Sequence, residues 1–200
     1  MNDQSVNEGG GRPLVVAVVG SPRRRGNTST LVDEALAELE RRGAAVEKIM
    51  LGDHHVAPCL AHEDCAGLTR CPQEDDTERL LTTVYAADGL LLATPVYYEN
   101  VSAQMKAFID RNLFQYSHDV FLTTKVIGLL VVTAETGMED ALAALRRFVQ
   151  LSTGSDLPVC VMGGYADAIG DAAKDEQLLA AARRLAADMA GPLGLGQGRG

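Results

Sequence analysis

The sequence predicts a three-layer, doubly wound α/β domain built on a five-stranded parallel sheet of order 2-1-3-4-5. Three observations carry this expectation. Apolar runs alternate with amphipathic runs along the chain. Three of the apolar runs are nearly continuous, as strands covered on both faces must be. A strand–helix–strand rhythm implies parallel pairing through right-handed crossovers.

The strand candidates are LVVAVVG at 14–20, AVEKIML at 45–51, GLLLATP at 89–95, KVIGLLVVT at 125–133 and LPVCVMG at 157–163. The first, third and fourth are the continuous runs and should be central. Five helices are expected between and after them. Leu31, Val32, Ala35, Leu36 and Leu39 form one apolar stripe at helical spacing. Val101, Met105, Phe108, Ile109 and Leu113 form a second, and Leu178, Leu179, Ala182, Leu185, Ala186 and Met189 a third. The segment 52–73 breaks the rhythm and holds three of the four cysteines. A loop of that length in a compact domain is functional or tied down. The expected organisation is a mobile segment at 1–12, one domain at 13–190 with a cysteine-containing insertion at 52–73, and a mobile Gly-rich tail at 191–200.

Composition narrows the function. A formal net charge of −9 argues against general nucleic-acid binding. No apolar stretch approaches a membrane span, and the polar, acidic beginning is unlike a secretory signal. A cytoplasmic protein is expected, with its cysteines as thiols or metal ligands rather than disulfides.

Two loops carry the chemistry. Gly20-Ser21-Pro22-Arg23-Arg24-Arg25-Gly26-Asn27-Thr28-Ser29 joins the first strand to the first helix. Its glycines allow tight turns, and Asn27, Thr28 or Ser29 could cap the helix. Free N–H groups at the helix start, with Ser21, Thr28 and Ser29 hydroxyls and an arginine, suit a phosphate. The loop is neither a P-loop nor G-x-G-x-x-G, and a capped helix after a solvated basic loop is the plainer reading. The other stretch, Thr94-Pro95-Val96-Tyr97-Tyr98-Glu99-Asn100, follows the third strand. In this strand order the reversal lies between strands 1 and 3, where ligands bind beyond the carboxyl ends. A phosphate cradle beside a Pro/Val/Tyr/Tyr wall suits a phosphorylated planar ring; ordinary boundary tyrosines are the alternative. Thr133-Ala134-Glu135-Thr136-Gly137 would form a third wall against the ring's polar edge.

At these residues the chain resembles a known family. "GSPRRRGNTSTLV" and "DDTERLLTTVYAADGLLLATPVYYENVSAQMKAFIDR" are similar to the NAD(P)H-dependent FMN reductases of flavodoxin-like fold, and within them to the iron–sulfur flavoprotein branch and its cluster-free relatives. The resemblance covers about residues 14–163, and "PVYYENVSAQMKAFIDR" is its most specific part. It implies bound FMN, NADH or NADPH as co-substrate, and homodimers or homotetramers. Carried over, Ser21, Arg23, Gly26, Asn27, Thr28 and Ser29 would bind the FMN phosphate. Pro95, Val96, Tyr97, Tyr98 and Asn100 would flank the isoalloxazine, with Thr133, Glu135 and Gly137 beyond it. Lys106, Phe108, Asp110 and Arg111 match the family's helix motif and are read as packing or subunit contacts.

The cysteine segment departs from that branch. Its compact motif is C-x2-C-x2-C with a fourth cysteine a few residues on; here Cys59, His62, Cys65 and Cys71 give C-x2-H-x2-C-x5-C. Three readings stay open: a metal-free loop, an iron–sulfur cluster with one imidazole ligand, and structural zinc. Cys160 reads as a small core residue, and His54 and His55 as part of a solvated turn.

The expected activity is a flavin oxidoreductase taking electrons from a nicotinamide to a quinone, another small oxidant or a carrier protein. No side chain is required as general acid or base, because the cofactor does the bond chemistry. An electron-transfer protein with a cluster in the cysteine loop, or a binding module without redox work, are the rivals.

Overall fold

The computed structural model describes residues 11–196. Of the stretches expected to be mobile, 1–12 and 191–200, residues 1–10 and 197–200 lie outside the described residues. Five parallel strands form the sheet: β1 (Leu14–Val19), β2 (Ala45–Met50), β3 (Gly89–Tyr97), β5 (Val126–Thr133) and β6 (Val159–Tyr165). Their order is β2-β1-β3-β5-β6, which is the 2-1-3-4-5 winding read from the sequence. The sheet has a sixth member that the sequence did not announce. β4 (Asn100–Val101) turns back antiparallel on the end of β3, pairing Tyr97 with Asn100 and Val96 with Val101.

Each central strand sends alternate residues into two separate cores, which is why its apolar run has no polar phase. Val16, Val18, Leu90, Leu92, Ile127 and Leu129 face one side. There they meet α2 (Thr77–Tyr85), α3 (Ala103–Arg111) and α5 (Met138–Ser152). Val15, Ala17, Leu91, Ala93, Val126 and Leu130 face α1 (Asn27–Arg41) and α6 (Glu176–Ala190). Gly128 permits this second contact to be close. A Cβ there would lie 2.5 Å from Met189 Sδ and 2.9 Å from Leu91 Cδ1.

Two boundaries differ from expectation. The stripe Val101–Leu113 is not one helix. Val101 belongs to β4, and the helix breaks at Asn112 before the five-residue α4 (Leu113–Ser117). Asn112 Nδ2 donates to the Phe108 carbonyl at 2.8 Å, and its Oδ1 accepts from Tyr85 at 3.2 Å. A buried Asn side chain thus competes with the next helical turn. The packed chain also continues past 190. Leu193 is buried and sits against Gly89, and Leu195 approaches Gly43. The leucines among the tail glycines were the overlooked signal.

Candidate functional site

The loops after β1, β3 and β5 meet at the carboxyl edge of the sheet. Gly20 N–H donates to the Ala93 carbonyl at 2.7 Å, and the Gly20 carbonyl accepts from Ser102 Oγ at 2.6 Å. Ser102 N–H in turn donates to Thr94 Oγ1 at 3.1 Å. Gly20 cannot be replaced lightly, since a Cβ would stand 2.8 Å from both Met105 Cβ and Ser102 Oγ. These bonds fix the first loop against the start of α3, across the reversal of strand order.

The first loop leaves an open helix start. Gly26 is the N-cap of α1 and supplies no capping side chain, so the first-turn N–H groups are unclaimed by a cap. A Cβ on Gly26 would lie 3.1 Å from Arg23 Cβ and 3.4 Å from Ser21 Oγ, filling the hollow in front of the helix. Ser21 is buried and its Oγ accepts from Arg23 N–H at 3.2 Å, which shapes the turn. Thr28 is buried, yet its hydroxyl has no hydrogen-bond partner among the described residues and is not enclosed. Ser29 faces the other way: its hydroxyl donates to the Arg24 carbonyl at 2.7 Å and accepts from Lys48 Nζ at 2.7 Å. Arg24 pairs with Asp53 at 2.7 Å. Arg23 and Arg25 form no salt bridge among the described residues.

Asn27 behaves differently from its expected role. Its amide donates to the Ala168 carbonyl at 2.9 Å, and its Oδ1 accepts from Gly170 N–H at 3.0 Å and Ala172 N–H at 3.2 Å. The side chain clasps the segment after β6 rather than the hollow. Only its backbone N–H remains for an anion. No sequence spacing joins residue 27 to residues 168–172.

The second loop is strained. Tyr98 (φ 52°) and Glu99 (φ 63°) both occupy the left-handed region at the hairpin tip between β3 and β4. Asn and Gly normally hold these positions of a type I′ turn. Large side chains there cost of order 1–3 kcal/mol each and persist where surroundings over-determine them. The surroundings are visible. Glu99 Oε1 accepts from Thr136 Oγ1 at 2.6 Å, and Gly137, itself at φ 78°, fits under the hairpin. A Cβ on Gly137 would be 2.7 Å from Glu99 Cα and from Val96 Cγ1. Thr133 Oγ1 donates to the Thr136 carbonyl and tightens that third loop. Tyr98 is fully exposed and Tyr97 partly so, while Pro95 and Val96 are half-buried. Asn100 Oδ1 accepts from its neighbour's N–H, and Glu135 is exposed without a side-chain hydrogen bond among the described residues. The sequence singled out the stretches that hold Thr94, Glu99 and Thr136 but gave these residues no role of their own, and it missed Ser102; together they make the cross-loop bonds. The Y98N/E99G variant should be more stable than the parent by about 1–2 kcal/mol in the ligand-free state, as strain is relieved. It should also bind the planar ligand expected from the sequence more weakly. Thermal melts with and without ligand check both.

The cysteine segment does not gather its donors. Cys59, Cys65 and Cys71 are free thiols, and among the described residues no three His, Cys, Asp or Glu side chains stand close enough to share an ion. Cys59 Sγ accepts from Ala61 N–H at 3.4 Å, and Cys71 Sγ accepts from Arg111 Nη2 at 3.5 Å. Arg111 is buried in α3 and ion-paired with Asp75, each side chain only 2% exposed. Burial alone would raise the Asp75 carboxyl. The Arg111 hydrogen bond, with N–H donors from Ala57 and Thr77, outweighs it and holds the pKa at about 2. Cys160 is half-buried on β6 beside the second core, and burial with nearby Asp188 pushes its thiol up. His54 stands by Asp76 and Arg79 at the surface.

A family model described as NADPH-dependent FMN reductase matches residues 13–168. An iron–sulfur flavoprotein of Archaeoglobus fulgidus is 40% identical over 155 residues, covering 78% of this chain and 68% of that protein. An iron–sulfur flavoprotein of Methanocaldococcus jannaschii is 34% identical over 184 residues, covering 86% and 92%. Among solved structures, an NAD(P)H:quinone oxidoreductase from Methanothermobacter marburgensis superposes with a TM-score of 0.68 at 16% identity, over 88% of this chain and 94% of that one. The structural likeness bears on the fold.

Proposed function

The chain belongs to the NADPH-dependent FMN reductase family, in its iron–sulfur flavoprotein branch, and on that premise we propose that it is an FMN-dependent NAD(P)H oxidoreductase. Electrons pass from a nicotinamide to a quinone, another small oxidant or a carrier protein. The observation that carries this reading is the uncapped start of α1, hollowed at Gly26, beside a strained hairpin at the reversal of strand order.

The residues present fit FMN. The first-turn N–H groups of Asn27, Thr28 and Ser29, the Thr28 hydroxyl and the charge of Arg23 would hold the phosphate, with Gly26 leaving the room. Tyr97 and Tyr98, with Val96, would offer the apolar wall, and the backbone N–H groups of the hairpin would donate to the ring's polar edge. Bound FMN supplies the hydride and single-electron chemistry, while the protein orients it and sets its surroundings. The left-handed turn holds those N–H groups in place before a ligand arrives, so little reorganisation opposes binding. We place the protein in the cytoplasm, where it works as a homodimer or homotetramer. No helix among the described residues is long and apolar enough to cross a membrane.

The test is direct. Heat-denatured protein should release FMN, identified by mass spectrometry, and anaerobic NADPH or NADH should bleach the visible flavin band of the intact protein. Protein that releases no flavin and leaves the fluorescence of added FMN unquenched removes the reading. Bound flavin that neither nicotinamide reduces removes the reductase role alone.

A further inference from the structure

We propose that the cysteine segment of this chain is a metal-independent structure, closed at its neck by the buried Arg111–Asp75 ion pair instead of by a cluster or zinc. Against a cluster the donor set and the neck point the same way; against zinc, which accepts three cysteines and a histidine, it is the separation of the donors and the neck that do. Position 62 is histidine where four thiolates would need a cysteine. The thiols of Cys59 and Cys71 are directed to different partners, one to its own loop and one to a guanidinium.

What a metal would do for the segment is already done by side chains. Arg111 Nη1 donates to the Ala57 carbonyl at 3.1 Å and to Asp75. Asp75 Oδ2 accepts from Ala57 N–H at 3.0 Å, and Oδ1 accepts from Thr77 N–H at 3.0 Å. Both backbone groups of Ala57 are therefore held by one ion pair that also fixes the start of α2. A second rung lies outward: Gln73 Nε2 donates to the Pro58 carbonyl at 3.0 Å, and its Oε1 accepts from Leu60 N–H at 3.1 Å. An inner rung pairs His55 with Asp76 through Asp76 N–H to the His55 carbonyl at 2.9 Å and His55 N–H to Asp76 Oδ2 at 2.8 Å. At the far side, the Leu68 carbonyl lies 2.8 Å from His118 Nε2, tying the tip to the end of α4. Residues 55–60 and 73–76 are thus laced together, with Cys59 within the lacing and Cys65 and Cys71 beyond it. In small domains built around zinc, binding of the metal supplies the folding free energy and chelators unfold them. This segment has its own fastening, and such a chain would move electrons through its flavin alone.

The experiment uses full-length protein prepared anaerobically. Iron, acid-labile sulfide and zinc are measured before and after incubation with ferrous iron and sulfide, followed by gel filtration. Limited proteolysis of residues 57–75 is then timed with and without a chelator. We expect substoichiometric metal throughout, and the same cleavage rate with chelator and in the C59S/C65S/C71S variant. D75N and Q73A should each speed cleavage, D75N by about tenfold or more, as lost buried hydrogen bonds shift a local opening equilibrium. Stoichiometric iron with sulfide, or stoichiometric zinc, retained through gel filtration overturns the proposal. So does cleavage accelerated by chelator, or cleavage that neither D75N nor Q73A changes. Q73A, which leaves the ion pair intact, reads the lacing if D75N fails to fold.

Discussion

Replacing Thr28 by valine together with Arg23 by alanine will weaken FMN binding by about a hundredfold or more while leaving the fold intact. On the proposed reading each change removes a donor from a dianionic phosphate, and hydrogen bonds to charged groups are worth about 1.5–3 kcal/mol apiece. Two of them give about 3–6 kcal/mol, and each 1.4 kcal/mol is roughly tenfold in affinity. The fold should survive because neither side chain is bonded elsewhere. Thr28 Oγ1 has no partner among the described residues, and Arg23 uses only its backbone in the turn. Asn27→Leu should differ. It breaks three bonds to residues 168–172, so its loss of affinity should come with a lower melting temperature. Fluorescence titration of apoprotein with FMN, beside thermal melts, separates the two outcomes. Unchanged affinity in the double variant would move the phosphate site elsewhere.

Asp75→Ala will destabilise the protein at neutral pH by about 3–5 kcal/mol, because it leaves the Arg111 guanidinium buried and unpaired. For a chain of this size that is a fall of about 6–20 °C in melting temperature. The effect has a pH signature. The folded Asp75 carboxyl ionises at about 2 against an ordinary 3.8, so its contribution is complete above the ordinary value and is lost as pH falls through the folded one. The stability gap between parent and D75N should therefore be constant from pH 7 to about 5 and narrow between about pH 4 and 2. Chemical denaturation at several pH values measures it. A gap that stays the same down to pH 2 would mean that Asp75 is not held ionised by Arg111.

Much of this architecture was legible because the chemistry is local or periodic. β1, β3 and β5 announce themselves as strands buried on both faces, and the alternation with helices leaves few windings. The loops at 20–29 and 94–100 could be placed at one crevice because strand order brings them there. What stayed hidden depends on contacts distant in sequence or on backbone conformation. Nothing in "NTS" says that Asn27 reaches the chain 141 residues on. Nothing in "YYEN" says that Tyr98 and Glu99 take left-handed conformations, since composition favours neither there. β4 is too short for a period to register. The helix break at Asn112 turns on one amide finding Tyr85 from another helix. Arg111 looked like packing, and it is, but the partner that makes it decisive lies 36 residues away.

The grip of Asn27 on residues 168–172 has a broader result. The first helical residue of α1 also organises the short turn at Ala172 that leads into α6, so the mouth of the cradle and the distal margin of the sheet are mechanically one body. A ligand held at the start of α1 is therefore expected to slow amide exchange at Gly170 and Ala172, whose N–H groups donate to Asn27. Heritable change in these two stretches is therefore expected to be concerted, since a poorer match at either end slackens both.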